Sequence, residues 1–412
     1  MLRSGSSIAV AMAVMNLATY GFTIISARLL GPGSYGALAG LMATLLVISV
    51  LALGLQATAA RRVSADPEHV GQIENTILRV ALRGALALGL LLVLLSPVIN
   101  LVLRLDDLKT AALVGLTAVP LTVMGGQAGI LQGERRWWPL AVLYVASGVP
   151  RLVIGTALIV WRPTEFMAML GVALGALLPV VVGWIALRGE RQPGLSSESH
   201  AARSVIRETV HNSQALLAFF ALCNVDVIVA RNVLDDHEAG LYAGGLILTK
   251  AVLFLPQFVV VVAFPALSTA AERRRALTRS LSLVAVLGAL ATAGALVLPD
   301  LAMVFVGGEE YDDIESRLWL FAVLGTVLAM LQLLVYSVIA RQGQRSIYLV
   351  WGALVVVAGA GLLTTSVNTL LTVVVVIDSV LFVVLLAVSL HMVREEPEVA
   401  AAEPVEQGTR PA

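Results

Sequence analysis

Charge is what this sequence has least of. Only 13% of its 412 residues are charged, against 58% that are hydrophobic, and the mean hydropathy is +0.91. Soluble domains carry about a quarter charged residues, so a water-soluble globule is excluded and a polytopic membrane protein is indicated. The formal net charge is zero, which gives nucleic acid no bulk attraction. Cysteine occurs once, as Cys223. That excludes an internal disulfide and a paired-cysteine metal site, and a lone cysteine inside an apolar run reads as a small buried side chain. Walker A, HExxH and GxSxG sequences are all missing. GPGSYG at 31–36 lacks the lysine of a phosphate-binding loop, and its Pro32 and Tyr35 fit a simple turn. No enzyme chemistry, cofactor or metal is expected.

Long apolar runs take the place of charge. A spanning helix needs about 20 apolar residues, and that ruler finds twelve spans. They lie near 6–27, 35–60, 78–103, 109–132, 139–160, 166–187, 211–233, 240–268, 279–299, 317–340, 346–367 and 369–392. The first has no small-residue cleavage site and reads as a span, not a removed signal peptide. Arginine outnumbers lysine 25 to 2, and 19 of the 27 cations fall on one set of alternate connectors and the two termini, among them Arg61, Arg62, Arg135, Arg136 and Arg273 to Arg275. The other connectors hold six, and Arg151 and Lys250 lie inside spans. Positive charge marks the cytoplasmic side, so both termini are expected there. The opposite loops are acidic, at Asp106 and Asp107, Asp235 to Glu238 and Glu309 to Glu315.

The longest interior connector contains RGERQPGLSSESH, rich in Pro, Gly and Ser, which reads as a linker. The expected organisation is a six-helix lobe over 1–187, a cytoplasmic linker over 188–210, a second six-helix lobe over 211–393, and a disordered Pro- and Glu-rich tail over 394–412. An internal repeat supports two lobes. TIISARLLGPGSYGALAG resembles DVIVARNVLDDHEAGLYAGG, with Arg28 matching Arg231 at an offset of 203 and Tyr35 matching Tyr242 at 207. Gln132-Gly133 matches Gln342-Gly343 at 210. Odd spans match odd spans, so the two bundles share one orientation and are related by a pseudo-two-fold along the membrane normal. The fold class is all-α integral membrane. In such folds substrate sits near the midplane between the lobes, and access alternates by rocking.

Ionisable residues at membrane depth are expensive and mark candidate sites. Lys250 lies about 15 Å from one end of its span and Arg151 about 18 Å from the end of its own, near the centre. One from each lobe, they would offer a point charge and a planar fork to phosphate oxygens. Asp226 and Asp378 would be counter-ions or would exchange a coupling proton or sodium ion. Arg28 and Arg231 close the outer ends of the first and seventh spans and are further substrate-binding candidates. Structural alternatives stand beside each reading. Asp226 and Lys250 could pair and lock two helices together. Arg151 could bind carbonyls freed near Pro150. Asp378 could serve as a helix–helix hydrogen-bond partner, and Arg28 and Arg231 as interfacial anchors. Pro120, Pro150, Pro179, Pro256 and Pro265 should bend their spans. Gly125 with Gly129, and Gly352 with Gly359, each share one helix face and permit close packing.

The stretches ARLLGPGSYGALAG, GILQGERRWWPLA and NVDVIVARNVL with EAGLYAGGLILTKAVLFLPQFVVVVAFP resemble polysaccharide-biosynthesis flippases of the multidrug/oligosaccharidyl-lipid/polysaccharide exporter superfamily. The resemblance is good over about residues 5–280. It implies two six-helix bundles in a V, a central cavity and alternating access. It also implies an isoprenoid-diphosphate-linked oligosaccharide as substrate, a bacterial cytoplasmic-membrane location, and glycosyltransferases and a polysaccharide polymerase as partners beside the membrane lipids. The alternatives are a cation- or proton-coupled drug or metabolite antiporter, which would favour an acidic, aromatic cavity, and a non-transporting scaffold with a dry interface between the lobes.

Overall fold

The apolar runs form helices, and no strand occurs among the described residues. The computed structural model describes the backbone of residues 2–189, 197–267, 270–340 and 344–402, and the side chains of 7–189, 197–253 without 199, 278–336 and 347–389. Most of the Pro-, Gly- and Ser-rich linker, Gln342-Gly343 and the side chains of Pro256 and Pro265 lie outside them.

In chain order the helices are α1 (Leu2–Ala65), α2 (Val70–Leu94), α3 (Ser96–Leu103), α4 (Leu108–Gly133), α5 (Trp137–Trp161), α6 (Glu165–Gly175), α7 (Leu177–Ala186), α8 (Ala202–Val233), α9 (Asp236–Leu267), α10 (Ala270–Val297), α11 (Pro299–Val306), α12 (Leu318–Ala340), α13 (Gln344–Gly361) and α14 (Val367–Ala402). Among the described residues nine stretches are long and apolar enough to cross a bilayer. With α1 holding two spans, and with α9 and the shorter α13 added, the twelve expected spans are accounted for. α1 turns at Gly31, whose backbone (φ 70°, ψ 171°) suits glycine alone. Pro32 then opens the second half with its φ already helical.

The duplication is visible as architecture. The third span breaks into α2 and α3, and the ninth breaks into α10 and α11. α3 starts and ends 203 residues before α11 (Ser96 to Pro299, Leu103 to Val306), the offset that also joins Arg28 to Arg231. A methyl group added at Gly40 would meet Leu103, and one added at Gly244 would meet Tyr311 and Val306. Those glycines are 204 apart, so Tyr35 and Tyr242, at 207, are neighbours of equivalent positions and not themselves equivalent.

Small residues set the closest helix contacts. On α4, Gly125 and Gly129 lie against the backbone of Ala52 and Gln56 in the second half of α1, and a side-chain carbon at Gly125 would stand 2.5 Å from the Ala52 carbonyl oxygen. Gly352 and Gly359 differ: among the described residues nothing lies within 4 Å of either position. Pro120 and Pro150 sit within α4 and α5 without ending them, and Pro179 follows the break between α6 and α7. α9 is one continuous helix through 256 and 265. α14 runs to Ala402, so the first residues of the expected tail continue this helix, and 403–412 lie outside the described residues. Among the described residues the largest of three buried apolar clusters, which includes Phe22, Leu41, Val229, Tyr242 and Phe321, runs through both halves, and two smaller ones form around Ile73 and Leu140.

Candidate functional site

Helical periodicity carries Asp226 into the interior. It falls on the buried stripe Ala215, Phe219, Leu222, Asp226 and Val229 of α8, spaced three or four residues apart. Its carboxylate is almost wholly buried, at 2% exposure. The Tyr242 hydroxyl on α9 donates to Oδ2 at 2.9 Å, and the Val227 amide donates to Oδ1 at 2.9 Å. Tyr242 is held edge-on by Phe321 of α12, with ring centroids 5.6 Å apart. Asp378 on α14 is 1% exposed, within electrostatic reach of Asp226, and its Oδ1 has no partner among the described residues. Lys250, two turns beyond Tyr242 on α9, is half-buried and feels both Asp226 and Cys223. Its attraction to Asp226 acts through space, without a direct ion pair. The result is a cluster of two carboxylates, one ammonium, one phenol and one thiol in the C-terminal bundle.

Arg151 is not part of that cluster. It stands on α5, half-buried, and donates from Nη2 to the Thr19 hydroxyl of α1. Its Nε has no partner among the described residues. The next residue of α1, Tyr20, donates its hydroxyl to the Ile247 carbonyl of α9 at 3.4 Å, three residues before Lys250. One helix therefore carries both links: Thr19 to Arg151 in the N-terminal bundle, Tyr20 to the strip of α9 that bears Lys250.

Arg28 and Arg231 lie elsewhere, in the seam between bundles at the end with acidic loops. Arg28 donates to the Val304 carbonyl in the last turn of α11. Arg231 donates to the Leu103 and Arg104 carbonyls at the end of α3, at 2.9 and 2.8 Å, and pairs with Asp236 at 2.9 Å. Arg104 returns the contact to the Leu234 and Asn232 carbonyls at the end of α8. Helix C-termini leave carbonyls without intrahelical partners and carry partial negative charge, so arginines suit them. Tyr35 meets Tyr311 edge-on at 6.5 Å, and the Tyr311 hydroxyl donates to the Ala27 carbonyl at 3.2 Å. Gly36 and Gly240 bring the two backbones together, with no room for a side chain between them.

At the arginine-rich end the start of α8 is tied back to the N-terminal bundle. Glu208 pairs with Arg61 and Arg62, and Arg62 also donates to Ser204 at 2.8 Å. Gln72 exchanges two hydrogen bonds with the backbone of Ser197. Asp66 accepts from His69 at 2.7 Å and His200 at 2.9 Å. These two hydrogen bonds, His69 first, hold its carboxyl below the usual range. The three groups cluster as metal ligands do, within 4.8 Å of one another. The second nitrogen of His200, however, lies 3.4 Å from the Arg62 guanidinium, which can only donate. Nδ1 must then accept, and the ring proton sits on Nε2, facing Asp66. A metal on Nε2 would turn a ring proton toward a cation, so the set reads as a hydrogen-bonded relay.

Sequence reasoning located Asp226, Lys250, Asp378 and Arg151 but missed the links around them. Asn16, Thr19, Tyr20 and Thr23 form a polar i, i+3, i+4, i+7 stripe in an apolar span, a signal that could have found Thr19 and Tyr20. Nothing in the sequence tied Arg104 and Asn232 to the ends of distant helices.

Comparison with known proteins adds family and fold. A family model described as "Polysaccharide biosynthesis protein" matches residues 1–271. A search of curated proteins returned no match. Among solved structures, an inward-facing multidrug resistance MATE family transporter of the MOP superfamily is 16% identical with a TM-score of 0.73, covering 94% of this chain and 96% of its own. A MOP superfamily transporter from Pyrococcus furiosus, described as having a binding pocket of reversed polarity, is 15% identical with a TM-score of 0.63, covering 95% of each chain. The eukaryotic MATE transporter AtDTX14 is 16% identical with a TM-score of 0.61, covering 94% and 96%. The chain shares their fold, with twelve spans in two bundles of six, the V-shaped exporter arrangement.

Proposed function

The chain belongs to the polysaccharide biosynthesis protein family, and on that premise we propose that it is a secondary-active flippase. It moves a lipid-linked oligosaccharide, or another polysaccharide precursor on an isoprenoid diphosphate, across the bacterial cytoplasmic membrane by alternating access. The observation that carries this reading is the pair of cations inside spans, Lys250 on α9 and Arg151 on α5, neither of which forms an ion pair among the described residues. A cation covered by protein without a counter-ion in contact is costly, and an anionic ligand relieves that cost. A diphosphate supplies the anion, and the isoprenoid tail stays in the bilayer. Ionised together, Asp226 and Asp378 exceed the charge of Lys250 by one, and a coupling proton or monovalent cation offsets that excess when the bundles reset. The seam at the acidic end is the outer gate, shut here. Glycosyltransferases load the carrier on the cytoplasmic side, and a polymerase takes it on the other.

Drug efflux is the second reading, favoured by the fold shared with MATE transporters and by the buried carboxylates. The two separate in cells deleted for this chain. A flippase deletion accumulates lipid-linked saccharide in the inner leaflet with drug accumulation unchanged. Raised retention of cationic dyes with normal surface polysaccharide would establish efflux in its place.

A further inference from the structure

Below Arg151 the N-terminal bundle carries a run of neutral polar groups that neither the ion cluster nor the seam uses. Gln132, exposed at the basic end of α4, accepts from Gln56 Nε2 at 3.0 Å, and the same nitrogen donates to the Tyr144 hydroxyl at 2.9 Å. Ser147 lies one turn above Tyr144 on α5, and Arg151 one turn above Ser147. Seven residues of helix put about 10 Å between Tyr144 and Arg151 along α5. The run climbs from the basic surface to the mid-membrane cation on one face.

Its open valences are mixed. Gln56 uses its amide nitrogen twice, and no described residue takes its carbonyl oxygen. The Tyr144 hydroxyl accepts from Gln56, and no described residue receives its proton. Arg151, one turn above Ser147, has its Nη2 on Thr19 and a covered Nε without a partner among the described residues. Gln56, Tyr144, Ser147 and Arg151 are all only half-buried. Amides and phenols inside a span are placed against lipid at a high cost, so a polar ligand or water satisfies them better than lipid does. A donor and an acceptor side by side, without a carboxylate, match a polyhydroxyl ring, whose every hydroxyl both gives and takes a hydrogen bond. A cationic drug would find no counter-charge here.

We infer that Gln56 and Tyr144 form a saccharide-reading wall: they bond the sugar next to the diphosphate while Arg151 holds the phosphate above it. This rests on the flippase reading and adds to it the part of the substrate that is recognised by the N-terminal bundle.

The test uses the full chain in nanodiscs and equilibrium binding of farnesyl diphosphate, bare or carrying a single glucose, galactose or N-acetylglucosamine. The wild type binds its preferred sugar-bearing probe roughly tenfold tighter than the bare one, the scale of two neutral hydrogen bonds. Gln56→Leu and Tyr144→Phe each shrink that preference while leaving bare farnesyl diphosphate binding unchanged, and Arg151→Gln weakens every probe. A network that only staples α1, α4 and α5 would not separate the probes. Equal wild-type affinity for all four, or variants that keep the preference or weaken all four alike, overturns the wall and leaves the flippase standing. Wild-type protein that binds none of the probes overturns both.

Discussion

Arg28 and Arg231 stand 203 residues apart, and each reaches across the seam into the opposite bundle at an equivalent place. Arg28 donates to the last turn of α11, and Arg231 to the end of α3. A duplicated arginine thus grips a duplicated helix end, once in each direction.

Loss of one grip should favour the open seam. Arg231→Gln forfeits two charge-assisted hydrogen bonds and the Asp236 pair, at about 1.5–3 kcal/mol for a bond to a charged group. With cysteines for spin labels at Ser34 and His237 in a Cys223→Ala background, the wild type should give one short distance distribution. Arg231→Gln should add a longer one, raised at least tenfold in population. An unchanged single distribution would mean that the arginines only decorate a seam held by other contacts.

Gly240 should tolerate no side chain, whereas Gly359 should welcome one. An added methyl at Gly240 meets the Pro32 backbone, while none of the described residues lies within 4 Å of Gly359. Gly240→Ala should lower the thermal midpoint by several degrees. Gly359→Ala should leave it level or raise it, since alanine is better than glycine in a helix by about 1 kcal/mol. Equal midpoints for the two variants would contradict the close approach of Gly36 and Gly240.

Tyr242 and Asp226 should be energetically coupled. Tyr242→Phe leaves a buried carboxylate short of a donor, a loss of about 1–3 kcal/mol. Asp226→Asn should cost less and should largely remove the penalty of the second substitution. A double-mutant cycle in denaturant unfolding should therefore return an interaction energy above about 0.5 kcal/mol. Additive effects would show that the 2.9 Å contact is incidental.

The tie at the basic end should loosen only in acid. Hydrogen bonds from His69 and His200 depress the Asp66 carboxyl. A depressed carboxyl contributes stability above its unfolded range and gives it up as the pH falls through its folded value. Amide protection over residues 197–205, corrected for intrinsic exchange, should hold through neutral pH and drop below the ordinary carboxylate range. Glu208 also ties the start of α8, through Arg61 and Arg62, so Asp66→Asn isolates the contribution of Asp66: its protection should be lower at neutral pH and its acid step smaller. A step of unchanged size would mean that Asp66 does not set it.

Span count and duplication were legible in the sequence because lipid imposes one crude requirement, about 20 apolar residues per crossing, and because copied segments keep their loops. Asp226, Lys250, Asp378 and Arg151 stood out for the same reason: charge in an apolar run is conspicuous. Which of them meet was not legible. Asp226 and Asp378 are 152 positions apart, and only the packing of α8, α9 and α14 joins them. The pairing of Tyr35 with Tyr242 failed because a tyrosine match in a glycine-rich loop is weaker than the glycine contacts that set the register. Arg104 went unnoticed because its partners are backbone carbonyls, which no sequence pattern marks.

The most direct test of the account is flipping by the reconstituted chain. Proteoliposomes carrying a fluorescent isoprenoid-diphosphate-linked saccharide should show transbilayer movement with wild-type protein, measured by quenching from outside. Lys250→Ala should reduce it to the level of protein-free vesicles while its thermal midpoint and insertion stay intact. Wild-type rates from a folded Lys250→Ala variant would contradict the role of this lysine as the group that holds the anionic headgroup.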